Sequence, residues 1–242
     1  MKSIFILTLV FWNTTALFGS SNAEKVFTNM YNNNVWGGDD GFFSGGGSTL
    51  EEGGPFIEYV QNVLDTYDIK SVVDVGCGDW VLANEIDWGN RIYLGVDVVP
   101  ELIERNKQLY SSENIRFLHV DAAIEHLPKG DLLICKDVLQ HLSFNDINHI
   151  LEEMKKFKYV IFVNDIDMNM STNQNVATGG YRPLDLSKKP FFLKRQKHIV
   201  TYQSGGFLKQ MFLIKPNSIK YTDRVSKFGI SSCAKIPADQ RS

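Results

Sequence analysis

The chain has 242 residues, 43% hydrophobic and 22% charged, which suits one globular domain with a sizeable core and excludes a disordered or fibrous protein. A net charge of −3 and a pI near 6.0 provide no global positive field, so no nucleic-acid partner is expected. The three cysteines, Cys77, Cys135 and Cys233, are widely spaced, with no Cys-x-x-Cys pair and no histidine cluster; neither a disulfide framework nor a metal centre is expected.

At the amino end, Lys2 precedes the apolar run Ile4 to Trp12, and Ser21-Asn22-Ala23 sets small residues at the −3 and −1 positions of a cleavage site. Residues 1–23 therefore read as a signal peptide. The apolar core is shorter than the roughly 20 residues of a membrane span, so no stable span remains after cleavage. The expected location is the secretory pathway, secreted or periplasmic, and retention of the segment would leave a cytoplasmic or N-terminally anchored protein. Loss of Lys2 takes the net charge from −3 to −4. In a eukaryotic lumen Asn169-Met170-Ser171 would be a glycosylation acceptor.

Residues 24–55 are rich in Gly and Asn, with Asn32-Asn33-Asn34, Trp36-Gly37-Gly38 and Ser44-Gly45-Gly46-Gly47-Ser48. An irregular loop region is expected, either folded over a ligand with Trp36, Phe42 and Phe43 as apolar contacts or serving as a linker. The domain proper spans 56–242. After Pro55, the residues Phe56, Val60, Val63, Leu64 and Tyr67 recur at helical spacing. Ser71 to Val75 is a strand that exits through Gly76-Cys77-Gly78, and a short helix is expected around Val81 to Ile86. A second strand, Arg91 to Val98, carries Asp97, and Pro100 opens a helix. Strands at Ile115 to Val120 and Asp131 to Val138 end near Asp121 and Asp137. Ser143 caps a helix with the stripe Ile147, Ile150, Leu151 and Met154, and Tyr159 to Val163 is a fifth strand. The stretch of about 165–197 has no clean periodicity and sits where substrate loops sit. His198 to Tyr202 and Lys209 to Ile214 form a closing hairpin through Gly205-Gly206. The fold class is α/β, a three-layer sandwich around a mostly parallel sheet, with an antiparallel hairpin at the end.

Strand exits of such a sheet are where ligands bind, and here they carry acids in step: Asp74, Asp97, Asp121 and Asp137. Each alone could be a helix cap; together they suit ribose hydroxyls, an exocyclic amine or an ammonium group. The turn Gly76-Cys77-Gly78-Asp79-Trp80-Val81 puts Val81 where a dinucleotide fingerprint needs its third glycine, which disfavours an NAD-linked oxidoreductase, and no Walker lysine follows.

Val73-Asp74-Val75-Gly76-Cys77-Gly78 resembles the first motif of the class I S-adenosylmethionine-dependent methyltransferases, with a Rossmann-like fold, and the resemblance runs from about Phe56 to Pro216. It implies a seven-stranded sheet and S-adenosyl-L-methionine as cofactor. Gly76 and Gly78 would face its methionine part with Asp74 supporting the turn, Asp97 would hold the ribose, and Asp121 with Ala122 would read the adenine amine. Lys136 to Leu142, including Asp137, would line the cofactor and face the acceptor.

For the acceptor, a small molecule or glycan methylated at oxygen is expected, with His141 as general base and Asp165 or Asp167 as runners-up; a capping or core role for His141 is the competing reading. Tyr181-Arg182 and Lys188-Lys189 bring cations and rings into the irregular loop, where a solvated charge run is equally consistent. A secreted cofactor-binding or effector module without catalysis is the reading from another class. One tension remains: the cofactor is made in the cytosol, so either an exported protein reaches a compartment or host cell that contains it, or the cleavage site at Ala23 is not used.

Overall fold

The computed structural model describes residues 20–38, 42–194 and 198–216. Most of the expected signal peptide, residues 1–19, lies outside them; among the described residues no helix is long and apolar enough to cross a membrane. The elements in order are α1 (Asn22–Asn32), α2 (Leu50–Thr66), β1 (Ser71–Val75), β2 (Ile92–Asp97), α3 (Pro100–Tyr110), β3 (Ile115–His119), β4 (Leu132–Lys136), α4 (Phe144–Glu153), β5 (Tyr159–Asp165), β6 (Val200–Ser204) and β7 (Phe207–Ile214).

The seven strands form one sheet in the order β3-β2-β1-β4-β5-β7-β6. The first five are parallel, and β7 runs antiparallel between β5 and β6. Parallel strands must be covered on both faces, and their near-continuous apolar runs show it. Val72 and Ile134 point to the face packed by Phe56, Val60, Val63 and Leu64 of α2, while Val73, Val75 and Cys135 point to the face packed by Ile147, Ile150 and Leu151 of α4. Each such fully buried aliphatic or aromatic side chain contributes about 1.5–3 kcal/mol, so the two layers anchor the sheet.

Two expectations need correction. The region 24–55 is not a plain loop. Ser21 accepts the Glu24 amide and caps α1, and Ala23, Phe27 and Tyr31, four residues apart, give the helix a single inward stripe. The chain leaves α1 only at Asn33-Asn34, where Asn34 has φ +51°. A cut after Ala23 would therefore remove the cap and part of the first turn of α1. The following helix begins at Leu50, ahead of Pro55, with Glu51 and Glu52 favourably placed in its first turn. The short helix expected at Val81 to Ile86 is only a 3-10 turn, Ala83–Glu85. Trp80 stands at φ +63°, and Trp80, Leu82, Ile86 and Trp88 are all drawn into the core beneath α2, a pattern no single helical face can meet.

Candidate functional site

The sheet order reverses between β1 and β4: from β1 the chain goes to β2 and β3 on one side, then crosses to β4 and β5 on the other. The crevice outside the carboxyl ends of the strands at this switch point is the natural ligand site. A cavity of about 430 Å³ lies there. Its walls are the β1 turn, the exits of β2 to β5, α1, the loop around Gly45 to Ser48, and Tyr181, Gly205 and Phe207.

At one end is the glycine turn. Gly76 (φ +69°) and Gly78 (φ +57°) occupy left-handed backbone. A Cβ on Gly76 would lie 2.2 Å from Val138 Cγ2, and one on Gly78 2.6 Å from Ser44 Oγ. The turn is tied to β2 because Gly76 and Cys77 both donate their amides to the Val96 carbonyl, at 2.8 and 3.1 Å. Asp97 completes the tie: Oδ2 accepts from Gly78 N and Oδ1 from Val99 N, each at 3.1 Å. Burial pushes the Asp97 carboxyl up, against the opposing pull of those amides.

Asp121 Oδ1 accepts from Ala123 N at 2.9 Å, while the buried Oδ2 has no hydrogen-bond partner among the described residues. A buried carboxylate oxygen without a donor is costly, so a ligand amine is the complement this atom lacks. Ala122 lines the cavity beside it. Asp97 and Asp121 thus make the local turn bonds of a cap and still face the cavity. Asp74 supports the turn only indirectly. Its Oδ2 accepts from the buried Tyr93 hydroxyl at 2.7 Å, and burial pushes its carboxyl up to about 7.

The opposite end is polar in composition but internally paired. Lys209 Nζ bridges Asp137 Oδ1 at 2.8 Å and Asp165 Oδ1 at 2.6 Å, and Lys136 Nζ holds Asp137 Oδ2 at 2.6 Å and the Gly47 carbonyl at 3.0 Å. Asp165 Oδ2 accepts from Gln140 Nε2 at 3.1 Å and the Tyr181 hydroxyl at 3.0 Å. Burial pushes the Asp137 carboxyl up, but the two ammonium groups outweigh it and hold it below its ordinary value.

These bonds revise three assignments. Asp137 has both oxygens ion-paired and is a charge anchor, not a carboxylate offered to the cofactor. Asp165, with each oxygen engaged, holds Lys209 and Tyr181 in place of acting as a free base. Asp167 is exposed, accepts the Asn169 amide at 2.8 Å and does not line the cavity.

His141 does line it. Its Nδ1 lies 3.0 Å from the Gly180 carbonyl, which can only accept, so Nδ1 carries the proton and Nε2 of the neutral ring carries the lone pair. Burial pushes its pKa below the ordinary 6.5. The irregular segment after β5 builds this setting: Gly179 N donates to His141 O, Arg182 N to Gln140 O and Leu184 N to Asp165 O.

The sequence reading missed Tyr31, Ser44, Lys209 and Phe207 as site residues. Ser44 Oγ accepts the Asp79 amide at 2.8 Å and bonds the Tyr31 hydroxyl at 2.9 Å, and Ser44 N donates to Asp79 Oδ2 at 3.0 Å. The glycine-rich loop is therefore a strap fastened across the β1 turn. One signal was available for Lys209, a cation inside the apolar run of β7, which a buried strand admits only with a partner.

Residues 72–157 match the family model of a methyltransferase domain. Over 134 residues the chain is 26% identical to the ubiquinone biosynthesis O-methyltransferase of Haemophilus ducreyi, covering 50% of this chain and 56% of that protein. The chain thus spans about half the length of this curated relative. The fold is similar to that of the N-methyltransferase NodS from Bradyrhizobium japonicum in complex with S-adenosylhomocysteine, with a TM-score of 0.58, 13% identity and coverage of 77% of this chain and 96% of that one. It is also similar to magnesium protoporphyrin IX methyltransferase from Synechocystis with bound S-adenosylmethionine, with a TM-score of 0.54, 13% identity and coverage of 81% and 98%. At these identities the structural likeness is one of fold.

Proposed function

We propose that this chain, which belongs by domain and fold to the class I S-adenosylmethionine-dependent methyltransferases, methylates a hydroxyl group of a small-molecule or glycan acceptor with His141 as general base. The observation that carries the oxygen assignment is His141: a neutral imidazole with Nδ1 held by a carbonyl and Nε2 left as acceptor on the cavity wall. A relative named for O-methyl transfer supports the same choice.

The residues fit the cofactor. Gly76 and Gly78 let the turn take its left-handed backbone at the cavity, Asp97 retains acceptor capacity for hydroxyls, and the unsatisfied Asp121 Oδ2 suits an amine. Bound there, S-adenosylmethionine supplies an electrophilic methyl group on a sulfonium that departs as a neutral thioether. The chain's own part is to align the acceptor oxygen and take its proton at His141 Nε2. Tyr181, anchored on Asp165, and the strap carrying Trp36 and Ser44 close the sides and exclude water.

Calorimetric titration with S-adenosylhomocysteine tests the cofactor half; absence of binding would overturn it. His141→Asn tests the chemical half. It should lower kcat about a hundredfold or more while leaving S-adenosylhomocysteine affinity unchanged, and an unaltered kcat would remove His141 from the base role. Export through the amino-terminal segment is part of this reading, and the mass of the native amino terminus tests it.

A further inference from the structure

Resting on the methyltransferase reading, we infer that the acceptor is a planar phenol, seated against an arc of rings formed by Trp36, His141, Tyr181 and Phe207 along the cavity wall. The four rings come from four segments and form a continuous series: Trp36 to His141 at 5.8 Å between centroids, His141 to Tyr181 at 5.7 Å, and Tyr181 to Phe207 at 5.5 Å. All four line the cavity, and the last two are 43% and 47% exposed, which places bare ring surface at its mouth.

What else this end offers decides the acceptor class. A sugar needs several convergent donors and acceptors, yet the polar side chains here are turned largely towards one another. The Tyr181 hydroxyl donates to Asp165, Gln140 donates to Asp165 Oδ2 and accepts from Asp165 N at 2.8 Å, and Lys136 and Lys209 are held by Asp137 and Asp165. A cationic amine needs a carboxylate with capacity to spare or a net negative field. Here two ammonium groups face two carboxylates, and the four formal charges sum to zero. Ring faces without a local charge favour a neutral, flat, polarisable partner that stacks.

The base points the same way. His141, with its pKa held below the ordinary imidazole value by burial, is a weak base, and a phenol of pKa about 10 yields its proton to it far more readily than an aliphatic hydroxyl with a pKa near that of water, about 16. A phenol therefore needs far less assistance from this imidazole than an alcohol or a glycan hydroxyl does.

The test uses the full chain with S-adenosylmethionine and a matched panel of phenol, catechol, hydroquinone, cyclohexanol, methyl glucoside and benzylamine. Methyl transfer is read by mass spectrometry, and binding to the S-adenosylhomocysteine complex by saturation-transfer NMR. At least one phenol should be methylated at oxygen, at least tenfold faster than cyclohexanol or methyl glucoside. Phe207→Ala, at a half-exposed position, should raise the KM for that phenol about tenfold with kcat little changed, and Phe207→Tyr should restore it. Preferred turnover of the alcohol, the sugar or the amine would overturn the inference and leave the methyltransferase reading intact. So would an S-adenosylhomocysteine complex that neither binds nor methylates any phenol of the panel. Failure to bind S-adenosylhomocysteine at all would overturn both.

Discussion

At one end of the cavity Gly76, Gly78, Asp97 and Asp121 stand at the exits of adjacent strands, supplied by one continuous run of chain from β1 to just beyond β3. At the other end Trp36, His141, Tyr181 and Phe207 arrive from the strap, the turn after β4, the irregular segment after β5 and the last strand. The first end is a local product of strand, glycine turn and acid, and its groups are bonded mainly to backbone. The second end exists only once distant segments have met, and it is held by side-chain charges paired across 44 residues (Lys209 with Asp165) and 72 residues (Lys209 with Asp137). The cofactor end should therefore fail by losing a ligand contact, and the acceptor end by losing its fold.

The largest effect expected from this contrast is at Lys209. Its side chain is 4% exposed and compensates two buried carboxylates, so Lys209→Met leaves Asp137 and Asp165 facing each other without it. Removal of one partner from a buried charge network costs about 3–5 kcal/mol, read as a fall in denaturation midpoint. The triple variant with Asp137→Asn and Asp165→Asn should recover most of it; no recovery would show that Lys209 acts by packing alone.

Asp97→Ala comes next and should behave in the opposite manner. Two amides, Gly78 N and Val99 N, lose their acceptor at a site that water can reach, so the fold should survive. S-adenosylhomocysteine affinity should nevertheless drop about a hundredfold or more, the loss of charge-assisted hydrogen bonds to a buried ligand. Wild-type affinity in this variant would break the comparison at its cofactor end.

Gly76→Ala is expected to cost about 2 kcal/mol of stability, part from a left-handed φ and part from the contact with Val138. Combined with Val138→Ala it should recover the steric part alone, a split that thermal melts of the single and double variants can resolve.

Asp74 adds a pH-dependent term to the same turn. Its carboxyl ionises near 3.8 when unfolded and near 7 when buried beside Tyr93, so between those values the folded chain holds the extra proton. Stability contributed by the protonated form is therefore lost as pH rises from about 4 to 7, and stays lost above. Asp74→Asn should match the parent at pH 4 and exceed it by about 4 kcal/mol at pH 8, measured by urea unfolding at both pH values.

The same contrast explains how much of the molecule was legible in the residues. The parallel strands followed from apolar runs ending in acids and the antiparallel strand from the hairpin at Gly205-Gly206, and Asp97 and Asp121 lie at the cofactor end because a strand exit is a local feature. Asp137 and Asp165 were recognised as acids at strand exits, but a carboxylate's partner is a tertiary fact. Lys209 reaches both only because β7 inserts beside β5. The segment 24–55 was misjudged because glycine and asparagine dominate its composition, while the stripe of Ala23, Phe27 and Tyr31 is three residues long and its helix is capped from a position assigned to the signal peptide. The aromatic arc has no sequence period at all, since its members come from four segments.

Ser44 links the two ends, and the smallest prediction concerns it. Ser44 Oγ accepts the Asp79 amide just beyond Gly78 and pairs with the Tyr31 hydroxyl of α1, so the strap that carries the acceptor wall is hooked to the turn that would carry the cofactor. Ser44→Ala removes both bonds but keeps the donation from Ser44 N to Asp79, so the cost should be about 1 kcal/mol. If the ends are independent, that cost should appear only as stability. If the strap couples them, S-adenosylhomocysteine should bind a few fold more weakly, and amide exchange should quicken in residues 42–49 and in the Gly76 to Asp79 turn together. Exchange that quickens in the strap alone would separate the two ends. Joint quickening would make the strap the route by which an occupied cofactor site orders the acceptor wall, because a ligand that fixes the turn then also fixes Trp36.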